Sequence, residues 1–202
     1  MIILISGLSG SGKSYLAENL GKRIHYKVVH ASDLFKQILK DPKALNIKHT
    51  KMNLGWYELS NMDNNRKKNK QLDLLLDKYL LSVIKKEKNL IVDSWTMPYL
   101  SKAGTKIWLN ASVNERAKRM SLRDKIPLKE AQCLIKKKDT FSKNQFRKLY
   151  GFNYGKDLSI YDYILETDDF SIKQVCDNAY FCVKELIDKK KIINKKRVVT
   201  KK

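Results

Sequence analysis

Short apolar runs punctuate the 202 residues of this chain, and between them apolar positions recur at helical spacing. Met1-Ile2-Ile3-Leu4-Ile5 has no polar interruption, the pattern of a strand buried on both faces. Residues 26–31, 89–93, 105–111 and 158–166 read as four further strands. Residues 13–21 have the spacing of a helix ending at Gly21, and a second helix begins at Leu34 with Ser32 and Asp33 as its caps. Helical periodicity returns in residues 72–84, and Ser112-x-x-Glu115 and Ser171-x-x-Gln174 are capping boxes that open two more helices. Residues 124–150 are basic and broken at Pro127, with a helical run from Lys136 to Tyr150. Residues 41–71 are polar and irregular; Trp56 and Tyr57 there suit a base pocket or a local core equally well. Strands alternating with helices predict a doubly wound α/β domain, a five-stranded parallel sheet with helices on both faces.

The joint between the first strand and the first helix carries the chemistry. Ser6-Gly7-Leu8-Ser9-Gly10-Ser11-Gly12-Lys13-Ser14 fits the pattern Gly-x4-Gly-Lys-Ser without exception, directly after a predicted strand. Strand, glycine loop and helix N-terminus in sequence let successive backbone N–H groups wrap a phosphate, with the helix dipole adding attraction. Lys13 then reaches the β- and γ-phosphates, and the Ser14 hydroxyl sits on the Mg²⁺ that bridges them. Asp93, at the end of the third strand, is placed to hold Mg²⁺ or orient the attacking group, and Ser94-Trp95-Thr96 flank the acceptor site. Ser32, Asp33 and Lys36 follow the second strand and face the same crevice.

Composition changes this picture in two ways. The formal charge is +21, yet only 7 of the 42 basic residues are arginine, so a lysine bias across the whole chain accounts for the charge better than a nucleic-acid partner does. The same bias makes Arg116, Arg119 and Arg123 informative. Spaced by three and four on one predicted helix, they share a face, and arginine alone offers a planar fork for phosphate oxygens. Residues 121–150 then read as a lid that brings Arg119 and Arg123 onto the transferring group. Cys133, Cys176 and Cys182 have no metal-site spacing and read as packing residues, and no run approaches the ~18 apolar residues of a membrane span. A cytoplasmic protein is expected. Beyond residue 188 the chain is basic without acids and reads as a disordered tail, behind one domain over residues 1–187.

The stretches IILISGLSGSGKS, KVVHASDLF, KIWLNASVNERAKRMSLRD and above all KLYGFNYGKDLSIYDYILET make the chain resemble the archaeal-type cytidylate kinases, within the nucleoside monophosphate kinase group of P-loop proteins. The resemblance implies a P-loop kinase domain with an acceptor-binding insertion at about 34–84, acting as a monomer. It also implies ATP and Mg²⁺ as cofactors and CMP or dCMP as the phosphate acceptor. By position, residues 7–15, Tyr15 included, hold ATP; Ser32 and Asp33 open the monophosphate site; and Lys13, Arg119 and Arg123 stabilise the transferring phosphoryl group. Members usually carry an arginine where Lys36 stands and a Glu-Gly-Arg-like stretch where this chain has Asp93-Ser94-Trp95. A kinase for another small acceptor and a nucleotide-dependent RNA-associated ATPase are the alternatives.

Overall fold

The computed structural model describes residues 1–40 and 70–199; the irregular stretch with Trp56 and Tyr57, and with it the middle of the expected insertion, lies outside them. Five parallel strands stand in the order β2-β3-β1-β4-β5: β1 Ile2–Gly7, β2 Lys27–His30, β3 Leu90–Asp93, β4 Thr105–Asn110 and β5 Tyr163–Glu166. The central strand β1 pairs with β3 and β4, placing Ile5 level with both Asp93 and Ile107. On the far side of β3, His30 is level with Asp93.

The period of two along β1 decides which layer each side chain joins. Leu4 packs with Leu90 and Val92 under α2 (Ala31–Lys40) and α3 (Lys70–Lys86), against Phe35, Ile38, Leu72, Leu76 and Leu80. Ile3 and Ile5 point the other way, with Ile91, Ile107 and Leu109, under α1 (Lys13–Ile24) and the last helix. Each such fully buried aliphatic side chain stabilises the fold by about 1.5–3 kcal/mol. The remaining helices are α4 (Met97–Leu100), α5 (Val113–Asp124), α6 (Leu128–Tyr150) and α7 (Ile172–Val199).

The sequence reading and the structure differ at several boundaries, each for a physical reason. Helix α1 runs past Gly21 to Ile24 and is capped by His25 in the left-handed region, φ 56°. Gly21 is there for packing: a Cβ would stand 2.4 Å from Val28 Cγ2. Helix α2 starts at Ala31, so Ser32 and Asp33 lie in its first turn instead of capping it. The break expected at Pro127 is present, between the end of α5 at Asp124 and the start of α6, but the helix that follows begins directly after Pro127 at Leu128 instead of at Lys136 and runs through to Tyr150. Strand β5 begins only at Tyr163, because residues 158–161 close a turn through Tyr161 N–H to Leu158 O, 3.1 Å. Helix α7 continues to Val199 through the stretch expected to be a disordered tail; with neither Gly nor Pro after residue 171, nothing local stops it.

Candidate functional site

The carboxyl ends of β1, β2 and β3 bring Gly7, His30 and Asp93 together, and the loop after β1 folds over them. Two glycines there are obligatory. Gly10 has φ 83°, and a Cβ would meet Arg116 O at 2.9 Å; Gly12 has φ 97° as it leads into α1, with nothing within 4 Å of where a Cβ would point. The loop is held from behind by α5. Arg116, fully buried, donates from Nη1 to Ser9 O at 3.0 Å and to Asp139 Oδ2 of α6 at 2.8 Å, and from Nε to Ala111 O at 3.1 Å. Arg119 donates to Ser11 O at 3.3 Å and to Thr167 Oγ1 and O at 3.0 and 2.7 Å. With these carbonyls engaged on the protein side, the loop's opposite face is left to an anion.

Lys13 Nζ donates to Leu8 O at 3.0 Å and lies 5.7 Å from the centroid of the Trp95 ring. Burial lowers its pKa to about 8, with the neighbouring charges of Lys138 and Arg116 acting the same way and Asp93 opposing them. Ser14 Oγ donates to Asp93 Oδ2 at 2.7 Å. Burial would push the Asp93 carboxyl up, but its hydrogen bonds with His30 and Ser14 and the charge of Lys13 outweigh that and hold it below the usual carboxylate range. His30 is clasped between carboxylates, Nδ1 3.1 Å from Asp93 and Nε2 2.9 Å from Glu18. The bond to Asp93 leads in raising its pKa to about 9, against partial burial. A cation–carboxylate–hydroxyl row thus runs beneath the loop. Among the described residues no group of three or more His, Cys, Asp or Glu forms a metal cage. Ser14 and Asp93 do present two adjacent hard oxygens, the set that Mg²⁺ takes when phosphates and water complete its shell.

The other expected residues are distributed less compactly. Leu8, Ser9 and Ser11 belong to the loop, with Ser9 and Ser11 buried; Tyr15 is half exposed on the first turn of α1. Lys36 Nζ pairs with Asp33 Oδ1 at 2.9 Å, both exposed, on the same turn of α2 as the exposed Ser32. Trp95 stacks on Tyr154, centroids 5.6 Å apart and planes at 24°, and meets Phe146 edge-on at 5.9 Å. The three arginines do not act as one face. Arg116 is a buried brace and Arg119 reaches the loop, while Arg123 is exposed and bound to Asp124 through Nε and Nη2, 2.6 and 2.7 Å. Seven residues along a helix amount to about 10 Å of rise, so one face need not mean one site.

Comparison with known proteins bears on this geometry. A family model described as the cytidylate kinase-like family matches residues 2–169. The chain belongs to the cytidylate kinase-like family. A cytidylate kinase of Saccharolobus islandicus is 32% identical over 177 residues, covering 87% of this chain and 86% of its own. One from Pyrococcus abyssi is 30% identical over 189 residues, covering 93% and 94%. At 13% identity, the structure of a shikimate kinase from Bacteroides thetaiotaomicron shares the fold, with a TM-score of 0.57 over 93% of this chain and 98% of that one. Within this family member, the pattern Gly-x4-Gly-Lys-Ser found the loop, but three supporting residues escaped sequence reading. Asp139 is the lone acid in a lysine run on a helix, His30 ends a strand, and Tyr154 lies inside the Tyr-Gly block that carried the resemblance. Each had a local signal and none had a stated role.

Proposed function

We propose that the protein transfers the γ-phosphate of ATP, bound with Mg²⁺, to CMP or dCMP, giving the nucleoside diphosphate and ADP. The observation that carries the reading is the contact of Ser14 Oγ with Asp93 Oδ2, 2.7 Å, beside the buried Lys13 ammonium at the mouth of a glycine loop. Membership of the cytidylate kinase-like family supports the acceptor class, and relatives covering most of this chain carry the name cytidylate kinase. Mg²⁺ held by Ser14 and Asp93 would neutralise charge on the β- and γ-phosphates.

The chain's own groups do the rest. Residues 7–15 wrap the ATP phosphates with backbone N–H groups, and Lys13 gives its hydrogen bond from Leu8 over to a phosphate oxygen. Arg119, already at Ser11, supplies a second cation on the same side. An oxygen of the acceptor phosphate attacks the γ-phosphorus in line as the bond to the β–γ bridging oxygen breaks. Transition states of this loose kind demand positioning and charge more than a base, and a monophosphate dianion has no proton to lose. Ser32, Asp33, Lys36 and Trp95 form the acceptor side, and Arg123 joins the phosphates by releasing Asp124. The protein is read as a cytoplasmic monomer; no described helix is long and apolar enough to cross a membrane, and all three cysteines are free thiols.

The test is phosphate transfer from ATP·Mg²⁺ to CMP, dCMP, UMP, AMP, GMP and dTMP, with the diphosphate product measured directly. Product with CMP or dCMP in preference to the rest is expected. ATP binding without diphosphate from any of the six would overturn the acceptor assignment.

A further inference from the structure

Tyr154 lies in the loop after α6, far in sequence from the phosphate loop, yet its hydroxyl closes on the point where β1 becomes that loop. The side chain is buried, and its Oη has three partners. It donates to Gly7 O at 2.8 Å, accepts the Gly7 N–H at 3.3 Å, and stands 3.1 Å from Ser6 Oγ. A phenol has one proton, so with that proton on Gly7 O the Ser6 hydroxyl is the donor in the third contact. Both backbone polar groups of Gly7 are therefore taken by one side chain. Gly7 sits at φ 153°, and a Cβ there would stand 2.7 Å from Leu109 O, so no larger residue fits at the point the hydroxyl holds.

The ring of the same residue does a second thing. It stacks on Trp95 and is braced edge-on by Trp108 at 5.5 Å and Phe146 at 5.6 Å. Trp95 follows Asp93 and Ser94 after the end of β3 and lies beneath the Lys13 ammonium. One side chain thus touches the start of the donor loop through its oxygen and the wall beside Asp93 through its face. We infer that Tyr154 is a positioning residue for phosphoryl transfer, fixing the phosphate loop and the Trp95 wall in one register. The inference rests on the function proposed above, since alignment of two sites matters when a group passes between them. Burial holds the phenol well above its usual pKa, so it remains a donor throughout the working pH range.

Tyr154→Phe keeps the ring and removes the three hydrogen bonds. Isothermal titration of the variant and the parent with ATP gives affinity and the fraction of competent sites; steady-state transfer to the acceptor identified above gives kcat and each KM. Expected for the variant are one ATP site per chain, ATP affinity several-fold weaker, and kcat about tenfold lower or more with the acceptor KM little changed, since small misalignments in such sites can cost about a hundredfold. An ATP affinity and kcat within twofold of the parent would overturn the inference, as would a loss of activity that follows the loss of competent sites. Should the parent phosphorylate none of the six nucleotides, the proposed function fails by itself. The ATP affinity of Tyr154→Phe still decides the clamp: weaker binding at full occupancy supports it, and unchanged binding overturns it.

Discussion

Arg116 and Asp139 form a buried ion pair between α5 and α6, Nη1 to Oδ2 2.8 Å, and the same nitrogen also donates to Ser9 of the phosphate loop. The segment read as a lid is therefore tied to the loop at its midpoint. Removing one member of such a pair strands the other charge in a low-dielectric interior. Asp139→Ala should lower unfolding free energy by about 3–5 kcal/mol, measured by urea denaturation, and weaken ATP binding as Arg116 turns from Ser9. A loss under 1 kcal/mol would show that the pair is not isolated from water.

Lys13 is predicted to be a cost to the fold and a gain to function. Its folded pKa, about 8, lies below the ordinary lysine value of 10.5, so the folded state disfavours the proton; stability rises with pH between those values and is lowest below 8. At pH 7 the mismatch is worth about 3 kcal/mol. Lys13→Met should melt no lower than the parent at pH 7, and by several degrees higher if the thioether packs well, while transfer activity falls a hundredfold or more. For the free enzyme, kcat/KM for ATP should decline above pH 8 as the ammonium is lost. A flat profile to pH 9.5 would remove Lys13 from the phosphate site.

His30 behaves in the opposite sense. Its pKa is raised from 6.5 to about 9 by Asp93 and Glu18, so its contribution to stability is complete below pH 6.5 and disappears as pH rises through 9. Thermal melts of the parent and His30→Gln, without nucleotide or divalent metal, should show the parent's advantage at pH 6 shrinking steadily to pH 9.5. A constant difference across that range would mean the imidazole is neutral in the folded protein.

Gly21→Ala is a test of packing over propensity. Alanine favours a helix interior by about 1 kcal/mol over glycine, but its methyl group would overlap the stiff Val28 side chain and crowd Tyr26 O at 3.1 Å. Overpacking costs about 1–3 kcal/mol, so a lower midpoint in urea is expected. A stabilised variant would show that α1 can shift away from β2.

What the sequence made legible follows from where local pattern and tertiary need agree. In β1, the loop and the start of α1, one unbroken stretch holds strand, turn and helix signals, and the structure keeps all three. The first two turns of α6, ahead of the helical run expected from Lys136, are harder to read because the buried stripe is Ala131, Ile135, Asp139, Ser142, Gln145 and Phe146: the period is helical, but three of the six positions are polar, with Asp139 bound to Arg116 and Gln145 to Asp73. Ser112 opens α5 as expected, accepting from Glu115 N–H at 3.2 Å. The reciprocal bond of the capping box comes from Asp168, 56 residues away, while Glu115 turns to Arg119. Residues whose partners lie far along the chain, such as Tyr154 on Gly7 and His30 on Asp93, leave no spacing to read.

The strand order has one more consequence. Since β1 stands in the middle and the chain fills one flank before starting the other, the described residues 27–40 and 70–100 build the β2–β3 side and residues 105–167 the β4–β5 side. The two flanks meet at a shared seam of β1 and the loop behind it. The first flank reaches the start of α1 through Asp93 and the second reaches the loop through Arg119, so a change made in either is felt at the same short stretch between β1 and α1.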